Sequence, residues 1–225
     1  MLLLEPIQAL AEISLLPCSW KVITKFSPKT DKDIPVITLP GMMGADGSMA
    51  TVRRFLTGLG YKCYGWGQGR NLGLHEDLEE ELEAHVESIV HQTGQKVALI
   101  GHSLGGLYAR EVAKRRPDLV FNVITLGSPF NQPEEAAISS IRMLYEILNG
   151  ELTEKEHDMI RELKIAPNCP THCIYSKQDR IVHYTSCLQD DPPDHVENIE
   201  VLGSHAGMGH NPWILYLIAS RLVHA

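Results

Sequence analysis

The run Val97-Ala98-Leu99-Ile100-Gly101-His102-Ser103-Leu104-Gly105-Gly106 constrains this chain more than any other. Four apolar residues bounded by Lys96 and Gly101 predict a short buried strand, and the spacing of Leu104, Tyr108, Val112 and Ala113 predicts a helix directly behind it. Ser103 falls at the corner. A Gly-x-Ser-x-Gly at a strand-to-helix turn folds the backbone back so sharply that the residues two before and two after the serine nearly touch, and glycine leaves the room. The serine hydroxyl is then pushed out above the sheet edge. Glycine makes up 18 of 225 residues, so a given serine would carry both flanking glycines by chance well under about one time in a hundred.

A chain of 225 residues suits one α/β domain with a sizeable core. The formal charge of -8 argues against nucleic acid or an anionic membrane surface as the main partner, since both need a basic footprint. The apolar start, Met1 to Leu4, has no basic flank and is interrupted by Glu5 and Glu12, so it does not read as a secretory leader. No run of 18 apolar residues predicts a transmembrane helix. Five cysteines, Cys18, Cys63, Cys169, Cys173 and Cys187, match no disulfide framework or zinc module and read as reduced thiols, which points to a cytoplasmic protein.

Apolar spacing predicts an N-terminal helix over residues 3–16 whose polar face is acidic, followed to residue 34 by a surface connection with a short extended piece at Trp20 to Thr24. Strands are expected at 36–39, 61–64, 97–100, 120–126, 171–175 and 198–202. The spacing of Leu74, Leu78, Leu82, Val86 and Ile89 predicts an amphipathic helix over 76–93, with Gly94 as its cap. Asn211 and Pro212 are expected to start a final helix. From 131 to 167 the alternation breaks into two helical stretches, 133–149 and 153–164. They read as a small cap over the sheet edge within an otherwise single domain, or as packing helices on its flank.

Strands alternating with helices imply a six-stranded, mostly parallel sheet, with every strand exit on one edge where ligands bind. Ser103, Asp179 and His205 each fall in one of those exits. A serine hydroxyl needs a base to take its proton, the role expected of His205, and Asp179 would hold the imidazole in the right tautomer. His210 shares the His205 loop, and Asp190 and Asp191 are the competing acids. The Gly41-Met42-Met43-Gly44 loop lacks the lysine of a phosphate loop. The backbone N–H groups of Met42 and Leu104 are the expected oxyanion donors. Met43, Trp66 and Phe130 are expected to line an apolar acyl pocket.

The segments LPGMMG, GHSLGG, YSKQDRIV and GSHAGMGHNP resemble the α/β-hydrolase superfamily, within it the small bacterial lipases and esterases, and GYKCYGWGQGRNLG, LGSPF and NIEVLGSH resemble a group of uncharacterised bacterial hydrolases in that superfamily. The His205-x-Gly-Met setting resembles the His-x-Gly-Leu of the small lipases. The resemblance implies a minimal α/β-hydrolase fold without the two leading antiparallel strands, and a carboxylesterase working without metal or organic cofactor on a small ester with an apolar acyl part. Alternatives that use the same residues are a thioesterase or an acyltransferase. A non-catalytic binding protein on the same scaffold is another, and so is a peripheral lipase touching membranes through its leucine-rich N-terminus.

Overall fold

In a computed structural model, which describes residues 4–73, 77–131 and 162–223, the six apolar runs form β1 (Pro35–Leu39), β2 (Lys62–Tyr64), β3 (Val97–His102), β4 (Val120–Leu126), β5 (Thr171–Ser176) and β6 (Val196–Val201). They make one sheet in the order β2-β1-β3-β4-β5-β6, parallel at every pairing. Side chains alternate across a strand, and that alternation splits the core in two. Val36, Ala98, Ile100, Ile124, Leu126 and Ile174 pack on one face with the helices α2 (Ala50–Thr57) and Pro212–Leu222. Ile37, Leu39, Val97, Leu99, Val120 and Val123 pack on the other with α3 (Leu78–Thr93) and α4 (Leu104–Arg115).

The chain visits β1, moves outward to β2, then returns to the other side of β1 for β3. That reversal is the switch point at which a parallel sheet opens a crevice. Leu39 pairs with Gly101, so the loop after β1 and the turn after β3 leave the sheet side by side. Helix ends follow local chemistry: Gly94 closes α3 in the left-handed conformation (φ 68°), and the Asn211 side chain accepts the Trp213 and Ile214 N–H groups at the start of Pro212–Leu222.

The N-terminal expectation needs two corrections. Residues 17–34 do not begin with a connection: one helix, α1, runs from Leu4 to Phe26 straight through Pro17. A proline inside a helix costs about 3 kcal/mol or more. That cost is offset by packing, because Leu16, Trp20 and Ile23 lie against the core and the Trp20 ring meets Phe55 edge-on at 5.6 Å. The helix is also turned over. Glu5 and Glu12 are buried, whereas Ile7, Leu10, Leu15 and Phe26 are between 61% and 69% exposed.

The expected cap helices lie almost wholly in 132–161, outside the described residues. The chain re-enters at Glu162, and Leu163 packs with Leu107, Phe130 and Cys173. Among the described residues no helix is long and apolar enough to cross a membrane. All five cysteines are free.

Candidate active site

Ser103 sits between β3 and α4 with φ 51° and ψ -122°, a strained conformation for a residue with a side chain. Its surroundings impose that turn. A Cβ on Gly101 would overlap the Gly105 carbonyl and the Gly106 backbone, and one on Gly105 would overlap the Leu39 carbonyl at the end of β1. The Ser103 N–H donates to the Leu126 carbonyl at 2.8 Å, and its own carbonyl accepts from Gly106 at 3.0 Å. The Leu104 N–H opens α4 and finds no acceptor among the described residues. The positive end of the helix lies at that N–H.

The neighbouring loop is held by Asn71, a fully buried residue that nothing in the sequence singled out. Its side-chain amide donates to the Pro40 carbonyl at 2.9 Å, its N–H to Gly44 at 2.8 Å, and its carbonyl accepts the Met43 N–H at 2.7 Å. Met43 takes φ 60° in consequence. The Met43 N–H is therefore spent, while the Met42 N–H has no acceptor among the described residues.

Asp179 leaves β5 in a tight turn whose Ile181 and Val182 N–H groups both donate to Oδ1, at 2.9 and 2.8 Å. The other oxygen, Oδ2, accepts from His205 Nδ1 at 2.6 Å, with the two side chains only 1% and 7% exposed. Asp190 and Asp191 are exposed, and no histidine meets them among the described residues. His210 has a buried Nδ1 that meets no partner among the described residues, and burial pulls its proton affinity down. His102 turns away from the hydroxyl beside it. Its Nε2 donates to the His205 carbonyl at 3.0 Å, and burial, with His205 next, pushes the imidazole down to about 3. The His205 carbonyl can only accept, so the proton of this imidazole sits on Nε2.

Of the expected acyl contacts, Met43 is 52% exposed beside the loop. Trp66 and Phe130 are placed differently. The Trp66 indole lies in the core with Leu78 and Leu82 and donates to the Gly69 carbonyl at 2.9 Å, and the buried Phe130 ring lies 3.7 Å under the Arg110 guanidinium. Neither ring is presented to solvent, because each already covers a polar group of the fold.

The sequence also gave no sign that Glu5 and Glu12 reach this site. Glu12 accepts the Ser204 N–H and hydroxyl at 2.8 and 2.7 Å, and Glu5 accepts the Ala206 N–H at 3.0 Å. A pairing some 200 residues apart leaves no local signal. The whole arrangement can take a proton from a hydroxyl. A carboxylate on Nδ1 keeps the His205 proton there and leaves Nε2 with a lone pair, the form in which an imidazole accepts a proton.

Residues 31–186 match the family model described as serine aminopeptidase S33, a span that holds Ser103 and Asp179 and ends before His205. A triacylglycerol lipase of Vibrio cholerae serotype O1 is 38% identical over 105 residues, 44% of this chain and 33% of that protein. One from Pseudarthrobacter phenanthrenivorans is 48% identical over 58 residues, 25% of this chain and 18% of that protein. The chain thus spans a third or less of these curated relatives. A monoacylglycerol lipase of Paleococcus ferrophilus superposes with a TM-score of 0.61 at 16% identity, covering 87% of this chain and 97% of that one. The Pyrococcus furiosus esterase Pf2001 gives 0.64 at 15%, covering 85% and 83%. These likenesses show the shared fold.

Proposed function

Because this chain belongs to the α/β-hydrolase family described as serine aminopeptidase S33, we propose that it is a serine hydrolase cleaving carboxylic esters through an acyl-enzyme. The observation that carries the reading is the 2.6 Å bond from His205 to a buried Asp179, at the same sheet edge as a serine held at φ 51°. His205 Nε2 takes the Ser103 proton as Oγ attacks the ester carbonyl carbon. The carbonyl π pair moves onto oxygen, where the Met42 and Leu104 N–H groups receive it. Collapse of that intermediate expels the alcohol, which leaves with the proton from His205. Water then attacks the acyl-enzyme by the same route, returning the acid and free Ser103. Asp179 keeps its charge throughout and stabilises the imidazolium.

The lipase names of the curated relatives and the exposed Met43 beside the loop support an apolar acyl group. The test is a series of p-nitrophenyl esters of increasing chain length, with covalent labelling by a fluorophosphonate. Ser103→Ala should abolish the label and lower kcat by about 10⁶-fold, to the residue of catalysis that binding alone provides. A parent protein that takes no label and hydrolyses none of the esters overturns the proposal.

A further inference from the structure

We propose that Glu12 and Glu5 of α1 and His102 of β3 are positioning residues. Together they hold the backbone on both sides of His205 and so set where its imidazole stands over Ser103. The inference rests on the reading of His205 as the base.

Three consecutive residues of the loop are gripped. Glu12 takes both the N–H and the hydroxyl of Ser204, and that hydroxyl in turn accepts the Gly207 N–H at 3.0 Å. The peptide between His205 and Ala206 is held at both ends: its carbonyl accepts from His102, and its N–H donates to Glu5. Because His102 precedes Ser103 directly, the clamp ties the base to the strand that carries the nucleophile. Gly207 leaves room for this, since a Cβ there would overlap the Glu12 carboxylate.

The orientation of α1 argues that the contact has a purpose beyond packing. A helix placed only to cover a core buries its leucines and shows its acids to water. The first half of this one does the reverse, with Ile7 and Leu10 outward and both carboxylates inside, where an ionised group is costly. What the carboxylates meet there is the backbone around His205. Both α1 and this loop lie outside the residues that the family model matches.

The test compares Glu12→Ala, Glu12→Gln and Glu5→Ala with the parent full chain. The readouts are steady-state hydrolysis of a p-nitrophenyl ester, thermal melting, and the ¹⁵N spectrum of the His205 imidazole. Displacing a catalytic group by about an ångström costs up to about a hundredfold. Glu12→Ala should therefore lower kcat by about ten- to a hundredfold with KM within about twofold, and shift the His205 imidazole signals. Glu12→Gln keeps an acceptor for the Ser204 N–H and should recover most of the loss. If Glu12→Ala does not fold, Glu5→Ala, which removes a single bond, carries the same comparison. A native-melting variant with kcat and imidazole signals unchanged overturns the inference, as does a rate that falls only in step with the folded fraction. If His205→Ala keeps full activity, the reading of the base fails instead, and the imidazole spectrum still decides whether the clamp exists.

Discussion

Ser103 and His205 both follow strands at the same sheet edge but are aimed by different means. Ser103 is aimed by its own backbone: β3, the turn and α4 are contiguous, and glycines at 101 and 105 let the chain double back. His205 sits in a loop after the last strand, with β4 and β5 between that strand and β3 in the sheet. Its orientation is borrowed from Asp179 on the β5 exit, His102 on β3, and Glu5 and Glu12 almost 200 residues earlier. A side chain aimed by its own local backbone resists change at a distance. A side chain held by remote partners gives way wherever one of them is altered.

The largest effect that tests this contrast is Asp179→Asn, which leaves the loop in place but removes the acceptor that fixes the Nδ1–H tautomer. The expected fall in kcat is about 10⁴-fold, read in steady-state ester hydrolysis. A fall of tenfold or less would mean that the backbone clamp alone orients His205, and the comparison would need redrawing. Asn71→Ala comes next, since it frees the 41–44 loop. Losing the alignment of one oxyanion donor predicts about a hundredfold in kcat with the Ser103 turn intact, visible as retained fluorophosphonate labelling at a reduced rate. An unchanged kcat would show the Met42 side of the site to be as locally determined as Ser103.

The smallest effect separates stability from rate. Burial holds the Glu12 carboxyl above its ordinary 4.5, despite the Ser204 bonds that oppose the shift. A group that binds its proton more tightly when folded adds stability below its unfolded value, and that contribution is lost as pH rises through the folded one. Glu12→Gln cannot ionise and escapes the loss. Its melting temperature should therefore gain on the parent progressively as pH rises from about 4.5 towards neutrality. A difference that stays flat or narrows over that range would show that Glu12 is held as a carboxylate without cost.

How much was legible follows the same division. The six strands, α3 with its Gly94 end and the Asn211 cap are written in short contiguous runs, and the sequence locates them within a few positions. The turn at Ser103 is legible for the same reason. α1 was misread past Pro17 because the proline and charges that suggest a connection are local, whereas the Trp20–Phe55 contact that carries the helix onward is not. The burial of Trp66 and Phe130 is not legible, because an aromatic residue in a loop looks the same from sequence whether it lines a pocket or covers the loop's own polar groups.

The sequence by itself determined an α/β chain of six parallel strands with a serine at a glycine-walled corner, because alternation, helical spacing and turn chemistry act between near neighbours. Only the tertiary structure decided which carboxylate meets which histidine and which way α1 faces. It also decided which N–H groups remain unspent above Ser103. Those outcomes depend on the strand order and on hydrogen bonds between residues far apart in the chain, and no periodicity or spacing encodes either.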